Sequence, residues 1–285
     1  LSNQNKNFDT KEISYFLGLL KNAKDEVSIK SYIYIKNILN TIEFAIPCVI
    51  YPKGSKFVRC RVNDELNPFF NKITDLSYRT DVQNIKKFGR ANEPGQSVFY
   101  CSDDDSLSLF ETSKLPKQND NQPLEYITTS LWISTEEILV ASVLTNDNIR
   151  GNHKAIDDLS KDFEYIVKTQ ADESAQAVSQ LMQFLSREFS QAMAGNSNHY
   201  KITSAFTNYI FDSVRNADGI LYPSTVVTHK GFNFALKPEV ANKKLKFLVA
   251  NRRKMEYAGN KKYVETEFIE SEFHQGNDNI ILWSK

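Results

Sequence analysis

The sequence predicts an α+β fold, with both helical and extended segments along the chain. Three observations carry this reading. Apolar residues recur at helical spacing near the start (Ile13, Phe16, Leu17, Leu20) and between Asp172 and Met193 (Ala175, Val178, Met182, Leu185, Phe189). Lys56–Val62 instead alternates at the period of a strand. Between these regimes Tyr51-Pro-Lys-Gly-Ser55 supplies turn punctuation, and the chain changes character there.

Taken in order, residues 9 to 44 read as helical. Asp9 with Glu12 forms a capping-box pattern, and a second helix is expected over Val27–Ala45. Lys56–Val62 is a strand, 63–89 a long irregular loop, and Ser97–Cys101 a strand. Asp103, Asp104 and Asp105 start a helix because short acidic side chains accept the free amide protons of a first turn. Leu124–Ile133 and Glu137–Leu144 follow as strands. The helix from Asp172 ends near Gly195-Asn196, and another runs through Ile202, Phe206, Ile210 and Val214. Strands are expected near Ile220–Tyr222, Phe232–Leu236, Leu245–Val249, Tyr263–Ile269 and Ile280–Trp283.

With 285 residues, 41% of them hydrophobic, the chain can bury a full core near the upper size of one compact domain. Residues 1–50 are therefore expected to form a helical appendage to a main domain over 51–285. Thirty-five basic residues balance thirty-five acidic ones. No long-range field draws nucleic acid or an anionic membrane to the surface, so any anion must be bound by local clusters. The longest apolar runs, such as Ile138–Leu144, fall short of the ~20 residues of a membrane helix, and no signal-type segment opens the chain. A soluble, cytoplasmic protein is expected. Cys48, Cys60 and Cys101 lie among apolar residues without metal-ligand spacing and read as reduced, mostly buried thiols. His153, His199, His229 and His274 likewise show no ligand spacing, so no metal is expected.

Strand alternation puts Phe57, Arg59 and Arg61 on one face, so two guanidiniums project side by side. Arginine forks its donors to match phosphate oxygens, and the pair suits a pyrophosphate; the alternative is a solvated face with ion pairs. Gly89-Arg90-Ala-Asn92-Glu-Pro-Gly95 is a turn-rich loop whose small residues let backbone amides approach a ligand. Tyr100 ends the next strand and either stacks on a planar ring or packs in the core. Glu111 shares a helical stripe with Leu107 and Phe110, which turns its carboxylate inward. A carboxylate held there beside arginines is either a functional group or half of a structural ion pair. Ser224 closes a short apolar strand after Pro223, with no GxSxG elbow or histidine to make it a hydrolase nucleophile.

Together, Phe-Val-Arg59-Cys-Arg61, Gly-Arg90-Ala-Asn92-Glu-Pro-Gly-Gln-Ser-Val-Phe-Tyr100-Cys-Ser-Asp, Glu111, Asp-Gly-Ile-Leu-Tyr-Pro-Ser224 and Gly-Phe-Asn233-Phe-Ala-Leu-Lys-Pro238 resemble the RES-domain family in order and approximate spacing over residues 55 to 250. The resemblance implies a bacterial toxin of a toxin–antitoxin module with an ADP-ribosyltransferase-like split β-sheet core. It implies NAD⁺ as substrate, cleaved at the nicotinamide–ribose bond by hydrolysis or phosphorolysis, with protein ADP-ribosylation or a non-catalytic binding module as alternatives. A cognate antitoxin is the implied partner, and homo-oligomerisation is left open. Two departures stand out: the first arginine is doubled, leaving Arg59 and Arg61 as rivals, and the chain is longer at its N-terminus and by a helical insertion in 112–200.

On this reading Arg59, Arg90 and Glu111 converge on the dinucleotide with Tyr100 and Ser224. Bond cleavage leaves an oxocarbenium-like centre that needs a fixed anion, assigned to Glu111. Arg59 and Arg90, with Arg61 as substitute, take the pyrophosphate. Tyr100 positions nicotinamide or ribose, Ser224 bonds the ribose or orients the attacking group, and Asn92 and Asn233 complete the substrate-binding set.

Overall fold

The computed structural model describes residues 9–26, 28–42, 46–63, 68–113, 124–143, 161, 165, 172–191, 196–224, 232–259, 262–276 and 278–284. Within them lie six α-helices and nine strands, an α+β fold. The chain divides into two compact units. The first comprises Leu1–Ile50, Asp81–Ser97 and Leu139–Thr225; the second comprises Tyr51–Thr80, Val98–Ile138 and Val226–Lys285.

The first unit is mainly helical. α1 (Thr10–Asp25) starts where the Asp9 carboxylate accepts from the amides of Lys11 and Glu12, and α2 (Ile29–Asn40) starts where Ser28 Oγ accepts from Ser31 N. Both caps satisfy orphan donors of a first turn. α4 (Asp172–Ser190) and α5 (Lys201–Ser213) pack with them; Leu20, Ile35, Leu39, Leu181, Leu185, Phe189 and Phe206 are fully buried in this core. Lys201 is buried too, its ammonium donating to the Glu26 and Ser28 carbonyls and to Ser31 Oγ. It thereby serves the carbonyls at the α1–α2 junction with a cation. Three strands complete the unit: β1 (Cys48–Tyr51), β5 (Ile138–Ser142) and β6 (Gly219–Pro223), with β5 between the others and parallel to β6.

The second unit is a sheet of six strands in the order β7-β3-β2-β4-β8-β9. They are β2 (Lys56–Val62), β3 (Phe99–Ser102), β4 (Leu124–Ser134), β7 (Phe232–Leu236), β8 (Leu245–Gly259) and β9 (Lys262–Glu270), each antiparallel to its neighbours. Two short helices belong here, α3 (Asp105–Thr112) and α6 (Pro238–Lys244).

Several expectations are corrected. β8 runs ten residues beyond the expected end at Val249, through Asn251-Arg-Arg-Lys-Met-Glu, because β4 and β9 flank it and shelter its charges. Arg252, for instance, lies over the rings of Phe69 and Tyr126 and pairs with Glu267. The expected strand at Ile280–Trp283 makes only isolated bridges, from Ile280 to Lys72 and from Trp283 to Ser271, so no ladder propagates. β1 and α6 were not anticipated. The second helix ends at Asn40 and α4 at Ser190, short of the expected ends near Ala45 and Gly195; residues 43–45 and Gly195 themselves lie outside the described residues, as do His153 and His229 and most of the 144–171 part of the expected insertion.

Candidate active site

α3 and β7 hold the candidate carboxylate. Asp104 caps α3 by accepting from Leu107 N at 2.8 Å, and Asp105 in the first turn pairs with Arg253 at 2.7 Å. Leu107 is buried, which turns the same helix face inward and carries Glu111 with it. Glu111, half-buried, accepts at Oε1 from Asn233 Nδ2 at 3.0 Å. Asn233 is fixed in turn by the β3–β7 ladder, where it lies opposite Ser102, and Tyr100 lies opposite Ala235. Directly opposed residues of an antiparallel pair share a face. Tyr100, Ser102 and Asn233 therefore project to one side of this sheet, where α3 packs. Asp103 locks the entrance of β7 by accepting from Phe232 N at 3.1 Å.

The arginines of β2 leave on the other side. Val58 is registered with Ser102, so Val58, Cys60 and Val62 share the α3 face, while Phe57, Arg59 and Arg61 point to the opposite one. Side-chain contacts agree: Arg59 lies over the Phe99 ring at 5.3 Å and Arg61 over the Phe70 ring at 5.3 Å. Both are committed to main-chain carbonyls. Arg59 Nε donates to Ser77 O at 3.2 Å and Nη1 to Tyr100 O at 2.6 Å, and Arg61 Nη1 donates to Asp75 O. Burial, and then the neighbouring Arg61 cation, lower the Arg59 pKa to about 10. The guanidinium still stays charged at neutral pH. The two arginines do lie side by side as expected, but the expected neighbourhood of arginines around the Glu111 carboxylate is not formed by this pair. One oxygen of that carboxylate accepts from the neutral amide of Asn233. Arg59 meets the Tyr100 strand through the Tyr100 carbonyl and the Phe99 ring.

The remaining candidates belong to the first unit. Residues 89–96 form a closed loop: Gly89 N donates to Asn92 O at 2.9 Å, Gly95 N to Ile85 O at 2.8 Å and Glu93 N to Gln96 Oε1 at 3.0 Å. Gly95 has φ of 80°, a conformation a side chain would strain. Asn92 is buried, with Nδ2 donating to Glu93 O. Arg90 donates from Nη1 to the Phe189 and Gln191 carbonyls and lies 5.2 Å over the Tyr200 ring. A cation on the last carbonyls of α4 complements the helix dipole. Ser224 follows β6 immediately, and its side chain is buried with 2% exposure.

Sequence reading missed the polar side chains that support this loop. Tyr32, Ser204 and Asn208 lie in segments that read only as helical, outside the motifs singled out, and Gln96 follows the Gly95 turn; their meeting in space marks them. Burial raises the Tyr32 pKa, with the Glu93 carboxylate adding to the effect, so its hydroxyl stays protonated. Among the described residues no cluster of three or more His, Cys, Asp or Glu could hold a metal ion, and no helix is long and apolar enough to cross a membrane.

A family model described as RES domain matches residues 73–253, and the chain belongs to the RES domain family. The matched span contains Arg90, Asn92, Tyr100, Glu111, Ser224 and Asn233, and begins after Arg59 and Arg61. No curated protein matches the chain.

Proposed function

We propose that the protein cleaves the nicotinamide–ribose bond of NAD⁺, with Glu111 as the anion that faces the developing oxocarbenium centre. The observation that carries this reading is the Glu111–Asn233 pair inside the RES span: a half-buried carboxylate oriented by a neutral amide. The amide fixes one oxygen without neutralising the charge, so the anion is preorganised. Tyr100, on the same side of the sheet, is assigned to the nicotinamide or ribose. Arg90, Asn92 and Ser224 keep the roles implied by the family resemblance, pyrophosphate and ribose contacts. Of the doubled arginines, Arg59 and Arg61, neither is preferred for the pyrophosphate.

The test is incubation with NAD⁺ and a chelator, with chromatography for free nicotinamide. Release is expected, and its absence at every phosphate concentration sinks the catalytic reading. Comparing phosphate-free buffer, phosphate and a lysate as acceptor separates hydrolysis, phosphorolysis and protein ADP-ribosylation. A second reading, a non-catalytic RES-fold binding module, draws on one observation: Arg59, Arg61 and Arg90 all donate to main-chain carbonyls. Expression that leaves growth and cellular NAD⁺ unchanged favours it; slow growth rescued by Glu111→Ala favours the enzyme. As an enzyme the protein acts as a cytoplasmic toxin restrained by a cognate antitoxin.

A further inference from the structure

We propose that Tyr32 of α2 is a positioning residue for the 89–96 loop, acting through Asn208 and Gln96, so that the N-terminal helices set the geometry of Arg90 and Asn92. The inference rests on the reading that this loop contacts NAD⁺. The connection is a chain of polar contacts within the first unit. Asn208 Nδ2 of α5 donates to Tyr32 Oη at 3.0 Å, and Gln96 Nε2 donates to Asn208 Oδ1 at 2.6 Å. Gln96 Oε1 in turn accepts from Glu93 N, which closes the turn around Pro94 and Gly95. Ser204, one turn before Asn208, stands 3.4 Å from the Tyr32 hydroxyl.

α2 reaches the loop along a second line. The Tyr32 ring packs on Phe88 at 4.8 Å between centroids, directly before Gly89. Lys36, one turn on, brings its ammonium to 3.9 Å from the Glu93 carboxylate. Thus one face of α2 holds both flanks of Arg90 and Asn92, by a ring on one side and polar side chains on the other. Tyr32 is 3% exposed and Asn208 5%. Hydrogen bonds so sheltered from water are costly to leave unmade, so the chain of contacts fixes a single arrangement of the loop.

Tyr32→Phe removes the hydroxyl and keeps the ring on Phe88; Gln96→Ala cuts the other end at the loop itself. Both are made in the full chain and read by hydrogen exchange of the 89–96 amides and by NAD⁺ kinetics. Either is expected to speed exchange in 89–96 and raise KM for NAD⁺ about fivefold or more, with kcat within about twofold. The double variant should be little worse than the single ones, because both break one chain of contacts. Exchange unchanged in both variants overturns the proposal, and so does faster exchange with an unchanged KM in an active enzyme. If the unsubstituted protein releases no nicotinamide while both variants still loosen the loop, the positioning role stands and the proposed function falls.

Discussion

The two sides of the six-stranded sheet handle charge in opposite ways. On one, Arg59 and Arg61 donate to carbonyls of Ser77, Tyr100 and Asp75 and lie over the Phe99 and Phe70 rings. On the other, Glu111 is held by an amide that leaves its charge in place. The first arrangement turns part of each guanidinium toward the main chain, Arg59 through Nε and Nη1 and Arg61 through Nη1; the second aims a carboxylate with a donor that carries no charge of its own. Charge alone therefore does not mark a site. What matters is whether the partner neutralises the group, exhausts its hydrogen bonds, or merely aims it.

The largest effect that tests this contrast is on stability. Arg59→Ala leaves two sheltered carbonyls without their cationic donor and should cost about 3 kcal/mol in denaturant unfolding. Arg61→Ala, with one such carbonyl, should cost about half as much. If Arg59→Ala unfolds at the normal denaturant concentration yet raises KM for NAD⁺, the arginine side is a pyrophosphate site and the contrast breaks. Next in size, Glu111→Gln keeps the shape of the side chain and loses the anion. It should lower kcat by about 10² or more with little change in NAD⁺ affinity by calorimetry. Affinity loss as large as that of Arg90→Ala would show Glu111 to be a ground-state binder instead.

Local features of this arrangement were legible in the sequence. β2 and β7 have their expected limits, and α4 its expected start, because alternation and helical periodicity are written into consecutive residues. Leu107 likewise announced the inward turn of Glu111. β1 and α6 escaped because four and seven residues are too few to show a period. The faces of Arg59 and Arg61 were also legible, but what covers them was not. That depends on the register of β2 with β3 and on carbonyls supplied by the short 3₁₀ helix Ile73–Leu76 and the Ser77 that ends it. Similarly, Asn233 stood in the family pattern, whereas its contact with Glu111, 122 residues away, is a property of the fold.

A third, smaller effect sharpens the account of how the carboxylate is aimed. Asn233→Ala removes the amide while leaving the Glu111 charge, so kcat should fall about tenfold, less than for loss of the anion itself. Asn233→Asp places a like charge against Glu111 and should fall further. Nicotinamide release measured beside Glu111→Gln ranks the three, and an Asn233→Ala enzyme with full turnover would show that the amide aims nothing.

The smallest effect compares the two sides through their buried thiols. Cys60 lies on the side of Glu111 and Cys101 on that of Arg59, both buried. Burial raises the Cys60 pKa to about 11, with hydrogen bonds from Ser108 and Thr129 opposing, and raises Cys101 as well, with the Arg59 cation opposing. A thiol whose folded pKa exceeds its unfolded value gives stability that is fully present below the unfolded value, here 9.0. For Cys60 that stability is lost as pH rises toward about 11, because the unfolded chain releases its proton first. At pH 10 the loss from Cys60 alone is about 1 kcal/mol. Denaturant midpoints measured from pH 7 to 10.5 should therefore fall above pH 9, and Cys60→Ala and Cys101→Ala should each flatten the decline. Should Cys60→Ala flatten it and Cys101→Ala not, the Arg59 cation would be holding the Cys101 thiolate inside the fold. The arginine side would then have charge to spare for an anion after all.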